Sequence, residues 1–330
     1  MQRSLLYFVA EDWYFVSHRA ALARAARDAG WKVSVVTRID RHHDAIADDG
    51  HTIFPLSTLR RGSTNPIREA ATVAEVTRIY QQARPSLAHH VAVKPVLYGS
   101  IAARATRVPA VVNALAGFGW SFTGTSARQR VLGTAIRGLL KNTLRAEGMW
   151  TLFQNPDDRA QLEQAGVIDP SRTMIIKGSG VDVERFVPTP EPALPVRVLI
   201  GARMLRDKGV VELIDAIRIL RSQGYSVQAV LAGTPDPENP ATLDAAQLEQ
   251  WHNDGLAQWC GHVSDMAAAL RDCHIACLPS YREGTPKFLL EAAAAGRPIV
   301  ATDVPGCREV VTDGDNGYLV AARSAAPLAE

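Results

Sequence analysis

Several features are missing from this 330-residue chain. No run of about 18 apolar residues occurs, so no membrane-spanning helix is expected. None of the four cysteines, Cys260, Cys273, Cys277 and Cys307, stands in a Cys-x-x-Cys pair, and no histidine joins them at zinc spacing. They read as reduced packing thiols of a cytoplasmic protein. No short repeat or low-complexity tract is visible. The opening stretch, MQRSLLYFVAEDWYF, lacks a small-residue cleavage site and meets acids at once, so it reads as a first strand and not as a leader. The turn after that strand, EDWYFVSHR, has no glycine. A dinucleotide-binding dehydrogenase would want a Gly-rich turn there, with an acid about 20 residues on.

What is present is ordinary in composition and telling in pattern. Apolar residues make up 47% of the chain and charged residues 21%, enough to bury a large core. The length suggests two domains of about 150 residues. Near-continuous apolar runs alternate with helical stretches: strands at 5–10, 32–37, 87–90, 110–113, 149–153 and 174–176, then 197–201, 227–232, 275–278 and 298–301. Helices are expected at 17–29, 66–82, 210–223 and 287–295, among others. Apolar strands separated by helices predict parallel sheets covered on both faces. The pattern restarts after the Pro-rich RFVPTPEPALP, Arg185–Pro195. The expected division is a first domain over 1–178, a linker over 179–195 and a second domain over 196–330. Ligands in such doubly wound folds lie beyond the carboxyl ends of the strands. The halves differ in charge: residues 1–178 hold 23 Lys and Arg against 14 Asp and Glu, and the remainder 13 against 20. A basic half suits an anionic partner; no nucleic-acid partner is expected.

Two stretches carry candidate chemistry. In Leu278–Val320 a strand ends, a polar loop with Gly284 and Pro286 follows, and a helix begins near Lys287. The open N–H groups of its first turn, with the helix dipole, suit an anion. Glu283 precedes this helix and Glu291 lies on its second turn, so both can reach one ligand along the helix tip. Carboxylates beside a phosphate site make sense when they accept hydrogen bonds from paired sugar or ribose hydroxyls. In Gly201–Ile217 another strand opens into a helix, with Arg203 and Lys208 before Gly209. A guanidinium fork and an ammonium at a strand end suit a diphosphate.

The Glu283–Glu291 spacing, the Arg203…Lys208-Gly209 loop and the Ala232-Gly233 turn resemble those of the retaining GT-B glycosyltransferases of family 4. The segment GSGVDVERFVP (Gly178–Pro188) is similar to that family's interdomain link. The segments DWYFVSHRAALARAARDAGW, HVAVKPVLYGSIAARATRVPAVVNALAGFGWSFTG and LFQNPDDR resemble bacterial enzymes that extend undecaprenyl-diphosphate-linked surface-polysaccharide units. The resemblance implies an α/β GT-B fold: two Rossmann-like, doubly wound domains facing a central cleft, with an acceptor-binding first domain and a donor-binding second one. It implies transfer of a sugar with retention from a nucleoside-diphosphate sugar, favouring a UDP-sugar, to a lipid-linked saccharide acceptor. Glu283 would then hold donor-sugar hydroxyls and Glu291 the ribose. Arg203 and Lys208 would neutralise the diphosphate, helped by backbone N–H groups of Gly284, Thr285 and Lys287 around Pro286. Gly233 would line the pocket, and His262 and Val263 would border the base. No cofactor and no metal is required by this arrangement.

Departures from the family pattern bear on the acceptor side. The Gly-Gly loop after the first strand is replaced by EDWYFVSHR, and Ala116 stands where many members carry a histidine. Acceptor candidates are Ser17, His18, Arg19, His90 and Lys94, with His89 beside them, and the aromatics Phe118 and Trp120. The stretch Arg128–Arg145 has cations at Arg137, Lys141 and Arg145 on one helical stripe, apolar residues elsewhere and no acid. It is expected to rest as an amphipathic helix on the inner face of the plasma membrane. The family's usual crossover helix has no counterpart before Glu330, which suggests a shortened chain. Rival readings are a hydrolysing epimerase on the same architecture and a truncated, non-catalytic sugar-nucleotide-binding protein.

Overall fold

The structure, a computed structural model, describes residues 3–115 and 127–330. The chain divides into two compact units, Met1–Ser179 and Gly180–Glu330. Phe118, Trp120 and the neighbouring Ala116 lie outside the described residues, as do the side chains of 127–132 and 135.

The first unit is built on seven strands: β1 (Ser4–Glu11), β2 (Lys32–Arg38), β3 (Thr52–Pro55), β4 (Leu87–Val91), β5 (Ala110–Leu115), β6 (Met149–Phe153) and β7 (Thr173–Ile175). They pair in the order β3-β2-β1-β4-β5-β6-β7, all parallel. Its helices are α1 (Asp12–His18), α2 (Ala20–Asp28), α3 (His43–Asp48), α4 (Pro66–Ala83), α5 (Val93–Ala105), α6 (Ala127–Leu144) and α7 (Pro156–Gln164). β1 shows why the sheet is central. Leu6 and Phe8 face one core with Val76, Tyr80 and Ala102. Leu5, Tyr7 and Val9 face another with Phe15 and Ala23. A strand buried on both faces has no polar alternate positions, so it reads as one apolar run.

The second unit carries β8 (Val196–Gly201), β9 (Val227–Ala232), β10 (Ala257–Gly261), β11 (Ile275–Leu278), β12 (Ile299–Thr302) and β13 (Gly317–Val320). Its parallel order is β10-β9-β8-β11-β12-β13. Helices α8 (Val210–Ser222), α9 (Ala245–Asn253), α10 (Met266–Arg271), α11 (Lys287–Ala294) and α12 (Ala326–Ala329) accompany it. In each sheet the order reverses beside the first strand, between β1 and β4 and between β8 and β11. Such a switch point opens a crevice at the strand carboxyl ends.

Three expectations change. The turn EDWYFVSHR is helical from Asp12, because the Asp12 carboxylate accepts from the N–H groups of Trp13, Asp40, Arg41 and His42. That buried acceptor anchors the chain where a glycine turn was looked for. The helix expected over 17–29 is interrupted at Arg19 and resumes at Ala20. Strands β3, β10 and β13 are not among the strands expected above. All lie at sheet edges, where only one side of the strand is hydrogen-bonded and four or five residues suffice, too few to show as a long apolar run.

Candidate active site

The second unit brings most of the anticipated donor residues to one end of its sheet. β8 ends at Gly201 and β11 at Leu278, and the loops leaving them are zipped together. Asp207 O accepts from Tyr281 N–H at 2.9 Å and from Ser280 Oγ at 3.1 Å. Thr302 Oγ1, at the end of β12, donates to Ser280 O. Two glycines make the approach possible. Gly209 has φ +72°, and a Cβ there would lie 2.1 Å from Pro279 O. Gly306 has φ +86°, and a Cβ there would lie 2.0 Å from Gly284 O. Any side chain at either position would push these loops apart.

Zipping the loops sets the side chains against one another. Lys208 Nζ pairs with Glu283 Oε1, and Lys287 Nζ with Glu291 Oε1. Arg203 Nη1 meets Asp236 Oδ2 at 2.5 Å. Glu283, Glu291 and Asp236 are almost wholly enclosed, whereas Arg203 and Lys287 keep about a third of their side chains open. Three cations and the shielded carboxylates that hold them therefore stand on the segments that follow the carboxyl ends of β8, β9 and β11. A charge-assisted bond in a partly desolvated place fixes geometry more firmly than a surface pair does. Glu291 is buried beneath the helix, not on a surface face.

α11 starts without a side-chain cap: Pro286 occupies the capping position, and the first turn holds no acid. Its leading N–H groups have no intrahelical acceptor. Gly284, Thr285 and Pro286 are buried against the loop. Gly233 enters through its carbonyl, which accepts from Trp259 Nε1 at 2.9 Å. This bond carries the loop after β10 toward the same edge, where Val263 packs on the core and His262 is exposed. Asp236 was missed from sequence; it lies three residues past Gly233, in a Pro-rich tract that read as a plain loop. Tyr281 was also missed. Its hydroxyl donates to Glu212 Oε1 at 2.5 Å, and Arg323 stacks over its ring at 4.7 Å. Asp313 and Asp315 have the spacing of a metal-binding acid pair, but Asp313 Oδ1 accepts from Leu319 N–H at 2.8 Å in the tight turn before β13.

On the acceptor side two candidates are corrected. His90 is fully buried. Its Nε2 accepts from Tyr80 Oη and its Nδ1 donates to Asn113 Oδ1, both at 2.7 Å. Burial pushes its pKa down to about 4, so it is a neutral structural bridge between α4, β4 and β5. Lys94 donates to Arg60 O, Ser63 O and Glu69 Oε1, tying down the loop before α4. All three ammonium protons are thereby engaged. Ser17 is exposed and lies 2.5 Å from His18 Nδ1. His18 stacks on Tyr14 with ring centroids 4.1 Å apart. Arg19 is buried, its Nη1 donating to His18 O at 2.8 Å. Glu11, at the end of β1, is enclosed between Arg38 at 3.2 Å and Arg61 at 2.9 Å.

The basic helix is also revised. In α6, Leu140 and Leu144 are buried against Val96, Leu115, Phe153 and Leu162, and Ile136 packs on the same cluster. The apolar stripe serves the first unit's own core. Of its described leucines, only Leu139 is exposed. Arg145 lies just past the helix and donates to Gly166 O at 3.2 Å. Among the described residues no helix is long and apolar enough to cross a membrane. A depression of about 550 Å³ lined by Ser4, Arg84, Ser86, Thr106 and Arg107 lies at the amino-terminal ends of β1 and β4, the edge opposite to the one doubly wound folds use for ligands.

Two doubly wound parallel-sheet units in one chain, the second gathering cations and carboxylates at its switch point, define the GT-B class of glycosyltransferases. Residues 4–145 match the model of the 4-like glycosyl transferases, and residues 195–330 that of the group 1 glycosyl transferases. The chain belongs to this family, the family 4 glycosyltransferases. Among curated relatives it is 25% identical to N,N'-diacetylbacillosaminyl-diphospho-undecaprenol alpha-1,3-N-acetylgalactosaminyltransferase of Campylobacter jejuni, over 96% of this chain and 87% of that protein. Among solved structures, sucrose-phosphate synthase of Thermosynechococcus elongatus superposes with a TM-score of 0.79 at 18% identity, over 99% of this chain and 88% of that one. Anabaena HepE, solved in complex with UDP and glucose, gives 0.75 at 18% identity, over 98% and 87%. At that identity the two structures speak for the fold.

Proposed function

We propose that this enzyme moves a sugar, with retention at the anomeric carbon, from a UDP-sugar to a lipid-diphosphate-linked saccharide in surface-polysaccharide assembly. The observation that carries the reading is the set of three cation–carboxylate pairs beside the open end of α11. A departing diphosphate gains negative charge as its bond to the sugar breaks. Arg203, Lys208 and the α11 N–H groups are the groups suited to stabilise it, the largest kind of contribution in such chemistry. With Lys208 given to phosphate, Glu283 is released to accept from sugar hydroxyls. By the same exchange Glu291 leaves Lys287 for the ribose. These positive groups make a metal unnecessary, and turnover in the presence of a chelator is the check. The UDP-sugar and the lipid acceptor are favoured by the HepE complex and the Campylobacter relative. On this reading the protein works at the inner face of the plasma membrane. Leu139 with Arg137 and Lys141 is the part of α6 left to touch lipid, and vesicle flotation with Leu139→Ser tests that contact.

The test of the site is Lys208→Ala and Glu283→Gln, assayed for transfer. Each is expected to lower kcat by roughly 100-fold or more, the size lost when one donor to a developing anion is removed. Turnover within about tenfold of the parent in both variants would refute the assignment. Product analysis with and without acceptor separates a transferase from an epimerase. A transferase yields new saccharide only with acceptor; an epimerase changes or hydrolyses the donor alone.

A further inference from the structure

Arg19 sits at the junction of α1 and α2 in a place that opposes its charge. It is 7% exposed. Of the five N–H donors on a guanidinium, one is used among the described residues, by Nη1 to His18 O. Nε is buried without a partner. Among the described residues no carboxylate pairs with it, and residues 116–126 contain no acid. It also occupies the capping position of α2, whose first turn has no acid. That is the positive end of the helix dipole, where a cation is disfavoured. His89, on β4 opposite Tyr7 of β1, is 8% exposed, and its Nε2 is likewise buried and unpartnered. The Arg19 charge is felt by His89 and by Tyr7, whose ring lies 5.1 Å from that of His89. A buried charge, idle donors and an unfavourable dipole each cost stability. One bound anion would relieve all three.

The geometry points to an anion subsite at Arg19 and His89, at the start of α2, that takes a phosphate group of one of the two substrates. The ligand's identity rests on the glycosyl-transfer reading; the existence of the subsite does not. A guanidinium fork can grip two phosphate oxygens, and the His89 imidazole offers a further bond. Two phosphates are available to such an enzyme, that of the lipid-linked acceptor and the diphosphate of the donor. Their chemistry at Arg19 is shared. Arg19 here is a substrate-binding group, and His89 is the residue that accompanies it.

Inorganic pyrophosphate is titrated calorimetrically into the full chain, into Arg19→Gln and into the double variant Arg203→Gln/Lys208→Ala. The expected result is a binding event that survives the double variant and is weakened at least tenfold by Arg19→Gln. Ligand-free Arg19→Gln is expected to melt higher, by about 2–4 °C, as an uncompensated buried charge is removed. Farnesyl diphosphate in detergent and UDP then distinguish the source. Loss of affinity for the first assigns the subsite to the acceptor, for the second to the donor; either sustains it. Pyrophosphate, farnesyl diphosphate and UDP all binding folded Arg19→Gln as they bind the parent overturns it. Should Arg19→Gln not fold, Arg19→Lys and His89→Gln are titrated instead, and unchanged pyrophosphate affinity in both overturns it equally. If UDP binds neither the parent nor the double variant, the donor reading fails, while the pyrophosphate titration still decides Arg19.

Discussion

Glycine and histidine positions decide most at the residue scale. Gly306 carries no chemistry, yet its missing Cβ lets the loop before β13 touch the carbonyl of Gly284. Gly306→Ala is expected to displace Glu283 and raise the KM for donor at least tenfold while the first unit stays intact; donor kinetics beside circular dichroism check this. His89 and His90 matter for pH. Burial is the main cause that pushes their pKa down, to about 3 and about 4. Folded-state values below the unfolded value of about 6.5 mean that the unfolded chain binds more protons in the interval between. The stability from keeping these rings neutral is therefore present above about pH 6.5 and is lost as pH falls toward 4. Urea unfolding at a series of pH values should show midpoints falling across that window, less steeply in His90→Gln. These residues were visible in sequence as candidates. Their roles were not, because an imidazole in an apolar strand is the same letter whether it meets a substrate or bridges Tyr80 and Asn113.

Among the elements, α6 and α11 are instructive for opposite reasons. α11 was legible because a polar loop with glycine, followed by proline and an apolar run, marks a helix start locally. α6 was legible as a helix with a basic stripe, but not in what its other side packs on. Leu140 and Leu144 are in a core with β5 and β6, and that burial is set by strands far along the chain. Leu140→Ala is expected to cost about 2–4 kcal/mol through lost burial and a residual cavity. Leu139→Ala, at an exposed position, should cost under about 0.5 kcal/mol. Chemical denaturation of the two variants checks the pair, and equal losses would contradict the packing. α1 was misread for a related reason: the acid that anchors it, Asp12, draws its partners from residues 40–42.

For the whole molecule, two sheets with matching switch points explain why one chain reads as two repeats of strand and helix without sequence repetition. Each sheet is parallel, buried on both faces and reversed in order beside its first strand. Ligand binding to such a protein is measurable through its melting temperature. A panel of UDP-, GDP- and ADP-sugars should raise it selectively, with UDP-sugars ahead, since a ligand at 100 times its Kd adds about 2.7 kcal/mol. The rise should shrink sharply in Lys208→Ala. An equal response to all three sugars would leave the base unspecified by the pocket.

Local chemistry in the amino-acid order determined the alternation of apolar strands and amphipathic helices, the restart past residue 178, and the helix tip flanked by Glu283 and Glu291. Such signals depend on neighbours within a few residues, which a linear pattern records. Tertiary structure alone decided that Lys208 faces Glu283 across 75 positions and that Asp236 holds Arg203. It also decided that His90 and Lys94 are spent on the fold, and that Arg19 is buried with no carboxylate partner among the described residues. Pairing and burial depend on which distant surfaces meet, and no window of sequence contains both sides of such a contact.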